Sequence, residues 1–201
     1  MITAIAQRLR QVWQDTAGSL TVETLICLPF LLWCPIATLV LFDVYHEDLE
    51  NERVAHAFGD LLSRETSLVT DDYLSSFTAM HGFITDSRGP AAQRVTIVGW
   101  DDTTSTYEVR WSRMLGSNKV NAPFQDMTST MLNTMPYTSR LPQLEAGRFF
   151  VLTETWKVWV PPLNAVLGPR EIYSSAITRP RMSGQICFSP NGTQDATQAV
   201  C

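Results

Sequence analysis

Three groups of side chains could do chemistry in this chain: three histidines, a scatter of carboxylates and four cysteines. His46, His56 and His81 are spread along the sequence. None stands in an H-E-x-x-H pattern, which would place two metal ligands on one helix face with a base between them. No G-x-S-x-G turn presents a serine nucleophile. His46 beside Glu47 and Glu50 reads as a solvated helix pair. The acidic pairs Asp71-Asp72 and Asp101-Asp102 suit a helix start and a turn better than general acid–base work. These patterns assign no catalytic residue, no metal set and no cofactor.

The cysteines divide into two pairs of different character. Cys27 and Cys34 lie in an apolar run, seven residues apart. On a helix they share a face but cannot reach each other, and they read as small packing residues. Cys187 and Cys201 fall in a polar tail around Ser189-Pro190-Asn191-Gly192, a turn-rich stretch. Pairing them closes a loop of about 15 residues, worth roughly 3 kcal/mol in the chain-entropy account. It also tethers an end that would otherwise fray. The expectation is a Cys187–Cys201 disulfide, which places the tail in an oxidising compartment. The alternative is two free thiols in a disordered tail.

The elements that carry these residues begin with the apolar run itself. From 24 to 42 no residue is charged, and most are Leu, Ile, Val, Phe, Trp or Cys. A bilayer core takes roughly 20 apolar residues of helix, and the run is at that length. Glu23 and Asp43 bracket it, with Trp13 and Tyr45 just outside as interfacial aromatics. Pro29 and Pro35 lie inside, where membrane helices tolerate proline. A buried core helix is the alternative, but core helices are seldom apolar all round for so long. Orientation follows the flanking Lys and Arg. Arg8 and Arg10 precede the run, and the next basic residue, Arg53, follows five carboxylates. This predicts a single-pass protein with a cytoplasmic N-terminus. Leu41-Phe42-Asp43 offers no small-x-small site for signal peptidase.

The net charge is −5, and Arg8 and Arg10 offset Asp15 and Glu23, so the acidity lies beyond the run. An acidic domain without basic clusters argues against nucleic acid, which needs grouped Lys and Arg for its phosphates.

Ahead of the run stands Asp15-Thr16-Ala17-Gly18-Ser19-Leu20-Thr21-Val22-Glu23. On physical grounds alone Gly18 and Ser19 make a helix start, and Glu23 favours the positive end of the helix dipole. The stretch from 15 to 29 also resembles the opening of the TadE/TadF/TadG group of tight-adherence (Flp) pilus proteins, a set of type IV pilin-like chains. These carry a short basic leader, Gly-Ser-x-x-Val-Glu and then a Leu-rich helix with a proline. The resemblance implies cutting by prepilin peptidase after Gly18, which makes Ser19 the new N-terminus and Glu23 the fifth residue of the mature chain. It implies helix–helix assembly through Glu23, Pro29 and Pro35 with other pilin-like subunits, in the bacterial inner membrane. It covers about 30 residues of the 201.

Beyond the membrane the helix pattern continues. Residues 43–64 contain no Pro and one Gly, Gly59, and Val54, Ala55, Phe58, Leu61 and Leu62 form an apolar stripe. The stripe must pack on the chain's own domain or on an adjacent subunit. A second helix is expected from 70 or 71 to about 83, capped by Asp71 or Asp72 and ended by Gly82. Strands are expected at 94–100 and 106–112, with Tyr107, Val109 and Trp111 on one face. A short helix is read at 124–133, and further strands at 149–160 and 171–178. In 149–160 the apolar residues Phe150, Leu152, Trp156, Val158 and Val160 alternate with more polar ones. Pro161-Pro162 ends it, since proline cannot donate to a ladder.

The predicted architecture is α+β: a long N-terminal transmembrane and stalk helix, then a periplasmic domain with an antiparallel sheet of about four strands. The organisation is a cytoplasmic leader at 1–18, the helix and stalk at 19–66 with the membrane span at about 24–42, and the domain at 67–201. The functional expectation is a minor pilin-like component or assembly factor, and not an enzyme. The alternatives are a signal-anchored periplasmic binding or adhesion domain and, more weakly, a membrane-tethered hydrolase.

Overall fold

Residues 19 to 63 contain one glycine, and the two prolines sit where neighbouring side chains are bare, so the chain can wind as one helix. It does: α1 spans Ser19–Ser63 and runs unbroken through Pro29 and Pro35. The structure, a computed structural model, describes residues 19–85, 89–121, 124–134, 137–143, 145, 147–163 and 167–201. After α1 come the short strand β1 (Val69–Thr70), helix α2 (Asp71–Ile84), β2 (Ala91–Asp101) and β3 (Thr106–Gly116). Then follow a one-turn helix α3 (Ser129–Leu132), β4 (Phe149–Trp159), β5 (Arg170–Thr178) and β6 (Phe188–Ser189). Strands β2 to β5 form one antiparallel sheet in the order β3-β2-β4-β5. This is the α+β layout with four main strands that the residue pattern predicts.

Both faces of the sheet are covered. The second half of α1 and all of α2 pack on one face, where Val54, Phe58, Leu62, Leu74, Phe77, Ile97 and Trp111 share a core. On the other face the connection between β3 and β4 folds back, and Met127 and Leu132 pack with Val98, Tyr107, Phe150 and Leu152. The stripe on α1 therefore meets the chain's own sheet. Leu61 departs from the expectation: it is 41% exposed, because the row that faces the sheet runs through 54, 55, 58 and 62 and leaves 61 at its edge.

Four local expectations change. Thr70, not Asp71 or Asp72, caps α2, its side chain accepting from the Tyr73 amide. That helix runs past Gly82 to Ile84. The helix read at 124–133 shrinks to the single turn of α3. The alternation in β3 breaks as well. Ile97 pairs with Trp111 but Val98 with Val109, so Arg110 is an extra residue in a β-bulge. The bulge sends Trp111 to the helix-covered face while Tyr107 and Val109 stay on the other.

The tail is tied down. Cys187 and Cys201 form a disulfide, Phe188 and Val200 exchange backbone hydrogen bonds at 2.8 Å, and β6 pairs with β1 in parallel. Trp111 Nε1 donates to the Ile186 carbonyl at 2.7 Å.

At Gly59 helix α1 lies close against the sheet. A Cβ there would lie 2.4 Å from Thr178 Oγ1. Gly59→Ala should thus lift the helix and cost about 1–3 kcal/mol. A lowered thermal midpoint by circular dichroism checks this, and the double variant Gly59→Ala/Thr178→Ala should recover part of the loss.

Candidate functional site: a bare apolar helix held by a polar seam

Helix α1 divides into two halves. Every residue from Thr21 to Pro35 is exposed, including Leu25 at 77%, Phe30 at 68% and Leu31 at 71%. Among the described residues α1 alone is long and apolar enough to cross a bilayer. From Ala37 onward one side of the same helix is buried in the domain. The boundary drawn at residue 66 thus follows chain order; by packing, 37–63 is a layer of the domain.

What holds the two halves in line is a ladder of polar contacts between α1 and β4. The elements run antiparallel, and four helix residues rise about 6 Å while two strand residues rise about 6.6 Å. Every fourth helix residue therefore meets every second strand residue. Asp43 accepts from Trp159 Nε1 at 2.8 Å. Glu47 pairs with Lys157. Asn51 Nδ2 donates to the Thr155 carbonyl at 3.3 Å and to Ser174 Oγ at 3.0 Å. Thr153 Oγ1 donates to the Ala55 carbonyl at 2.8 Å. Gly59 ends the row.

Glu47 and Lys157 are both buried at 1% side-chain exposure or less. A buried charge is costly without a partner and saturated hydrogen bonds. Lys157 Nζ has the partner and a second acceptor, the Thr85 carbonyl at 2.6 Å, which draws in the end of α2. A second buried pair lies on the opposite face. Arg94 and Glu154 are cross-strand partners joined at 2.8 Å, and neither side chain is exposed. Arg94 reaches Tyr137 Oη at 3.0 Å, and Glu154 accepts from Tyr173 Oη at 3.0 Å. Burial first, then the Glu154 charge, raise the Tyr173 pKa above the usual phenol range.

His81 is buried beside the seam. Its Nδ1 lies 2.9 Å from Gln93 Nε2 and its ring meets Phe58 edge-on. Burial, and then the nearby Lys157 charge, push its pKa from 6.5 to about 4. His46 pairs with Glu50 at 3.0 Å on the exposed side of α1. Among the described residues no cluster of three His, Cys, Asp or Glu groups is placed to hold a metal ion.

Of the residues singled out in the sequence, Gly18 lies outside the described residues. Ser19 opens α1, and Glu23, Pro29 and Pro35 lie exposed on its bare half. The disulfide belongs to the tail and stands beside β1, past the far end of α1. Of the seam residues, the sequence marks Asp43 only as the end of the apolar run and Glu47 only as a solvated neighbour of His46; Glu47 is instead buried against Lys157, and His46 pairs with Glu50. Asn51, Thr153, Thr155 and Lys157 are not picked out. Their signal was present: polar residues four apart on the helix, and two apart on a strand whose polar face looked solvated.

Compared with known proteins, the chain matches no family model, no curated protein and no solved structure. The arrangement has to be read from its own residues. Chemically, it presents an apolar rod to its surroundings and couples that rod rigidly to the domain.

Removing one member of the Glu47–Lys157 pair should leave a buried charge unpaired. Lys157→Met should cost about 3–5 kcal/mol, and Glu47→Leu/Lys157→Met should recover most of it, as read from denaturant unfolding. His81 adds a pH dependence. The folded state binds fewer protons than the unfolded state between pH 6.5 and about 4. Its contribution is full above 6.5 and is lost as pH falls toward 4, on the order of 3 kcal/mol. The thermal midpoint should fall as pH is lowered through that window in the parent and fall less in His81→Gln.

Proposed function

We propose that this chain is a minor pilin-like component or assembly factor of a tight-adherence pilus. In this reading α1 is anchored in the bacterial inner membrane, the N-terminus is cytoplasmic and the domain is periplasmic. The observation that carries it is the sequence Gly18-Ser19-Leu20-Thr21-Val22-Glu23 set directly before a 45-residue helix whose first half is bare.

Three physical points support it. A glycine at the cut site lets an extended chain enter a protease cleft without a side chain in the way. A carboxylate at the edge of hydrocarbon is costly alone and is relieved by a neighbouring subunit's freed amine. The bare apolar half, with Pro29 and Pro35 on its surface, offers other pilin-like subunits a helix to pack against. The disulfide in the tail suits an oxidising periplasm. Partners on this reading are sister subunits, prepilin peptidase and the membrane, and no nucleic acid.

Mass spectrometry of the protein from its native membrane tests the reading. The expected mature N-terminus is Ser19, and Gly18→Val should restore the leader peptide to the mature mass. Sister pilus subunits should co-purify. An unprocessed chain without such subunits would instead support an anchored binding or adhesion domain.

A further inference from the structure

The bare part of α1 is shorter than a bilayer. The uncharged run starts at Thr24, yet Ala37 and Val40 are already buried, at 7% and 1% exposure. Val40 packs with Val44, Trp159 and Ile172 of the domain. The uncharged stretch that is exposed is therefore 24–35, about 18 Å of helix against a hydrocarbon core of about 30 Å. Tilt widens this gap. Sliding the helix outward would draw Glu23 into hydrocarbon, at a cost of several kcal/mol or a shared proton. About 12 Å of the core remains to be matched by something other than bare helix.

The domain has apolar groups at that depth. Strand β4 runs down to Trp159, which bonds Asp43, and the chain then turns through Val160 and Leu163, at 45% and 53% exposure. Phe83, near the end of α2 and 89% exposed, lies higher, because Thr85 touches Lys157 and Lys157 meets Glu47, one helical turn beyond Asp43. Leu39 and Phe42 of α1, just before Asp43, are exposed at 67% and 70%. Above them Glu47 and Lys157 are buried against each other, while His46 and Asp48 are exposed and mark the level at which the surface turns polar. Arg170, exposed and in register with Trp159, stands where headgroup phosphates would lie.

We propose that this rim, formed by Val160 and Leu163 beside residues 39–42 of α1, is a lipid-contacting surface seated in the leaflet on the domain side. It rests on the reading that α1 spans the membrane. The domain then does not stand off the bilayer on a stalk. It sits in it, and its orientation about α1 is fixed by both the seam and the lipid.

Site-directed spin labelling of the full chain in vesicles of phosphatidylcholine and phosphatidylglycerol tests this. With Cys27→Ser and Cys34→Ser as background, single labels are placed through Phe30→Cys, Val160→Cys, Leu163→Cys and Thr103→Cys. Each variant is first checked for the parent's thermal melt. The labels at 30, 160 and 163 should collide more with oxygen than with a water-soluble nickel chelate, and the label at 103 the reverse. If the label at 30 reads lipid while those at 160 and 163 read water, the rim is not immersed, the bilayer thins instead, and the proposal falls with the span intact. If the label at 30 reads water, the span itself fails, and the rim with it.

Discussion

A helix and a strand keep step only when their side chains agree on a spacing, and here the agreement is polar. Asp43, Glu47, Asn51 and Ala55 meet Trp159, Lys157, Thr155 and Thr153 in turn along α1 and β4. Sliding the helix by one turn would move every donor off its acceptor and strand the Lys157 charge. An apolar seam would tolerate such a slip at little cost, because the hydrophobic effect has no direction. Polar contacts fix the register in a way that burial alone does not. Gly59 closes the row by letting the helix backbone approach Thr178.

The rest of the domain is arranged around that seam. Lys157 also holds the Thr85 carbonyl, so the end of α2 is referred to the same point. His81 is kept neutral beside it by burial. On the opposite face Arg94 and Glu154 pin the β3–β4 connection through Tyr137. Among the described residues each face of the sheet thus carries one buried ion pair, and each pair ties a covering element to the sheet. At the far end the disulfide and the β1–β6 pairing hold the tail, away from the bare half of α1.

For a pilin-like role the consequence is mechanical. Forces on the bare half of α1 pass to the sheet through the seam, not through a flexible linker. A subunit that packs on Pro29 and Pro35 would therefore also orient the domain, and a rim in the lipid would restrict it further. The chemistry offered is that of positioning and packing.

The sequence by itself determined the elements whose signals are local. The uncharged run at 24–42, the absence of proline from 43 to 63, the β-branched run at 94–100 and the strand stopped by Pro161-Pro162 each lie within a few residues of their cause. The Cys187–Cys201 pair was legible from the turn content between them and the compartment that the flanking arginines predict. The Gly18–Glu23 motif, too, is a property of the sequence alone. Tertiary structure decided what depends on partners distant in the chain. Thr153, Thr155 and Lys157 look like the wet face of a strand until α1, about a hundred residues earlier, covers them. The bulge at Arg110 moved Trp111 to the other face because the sheet's register with β2 required it. Burial of Ala37 and Val40, which shortens the bare helix, was equally hidden. A side chain's period announces its own element, but whether its polar groups face water or a partner is set only when the elements meet.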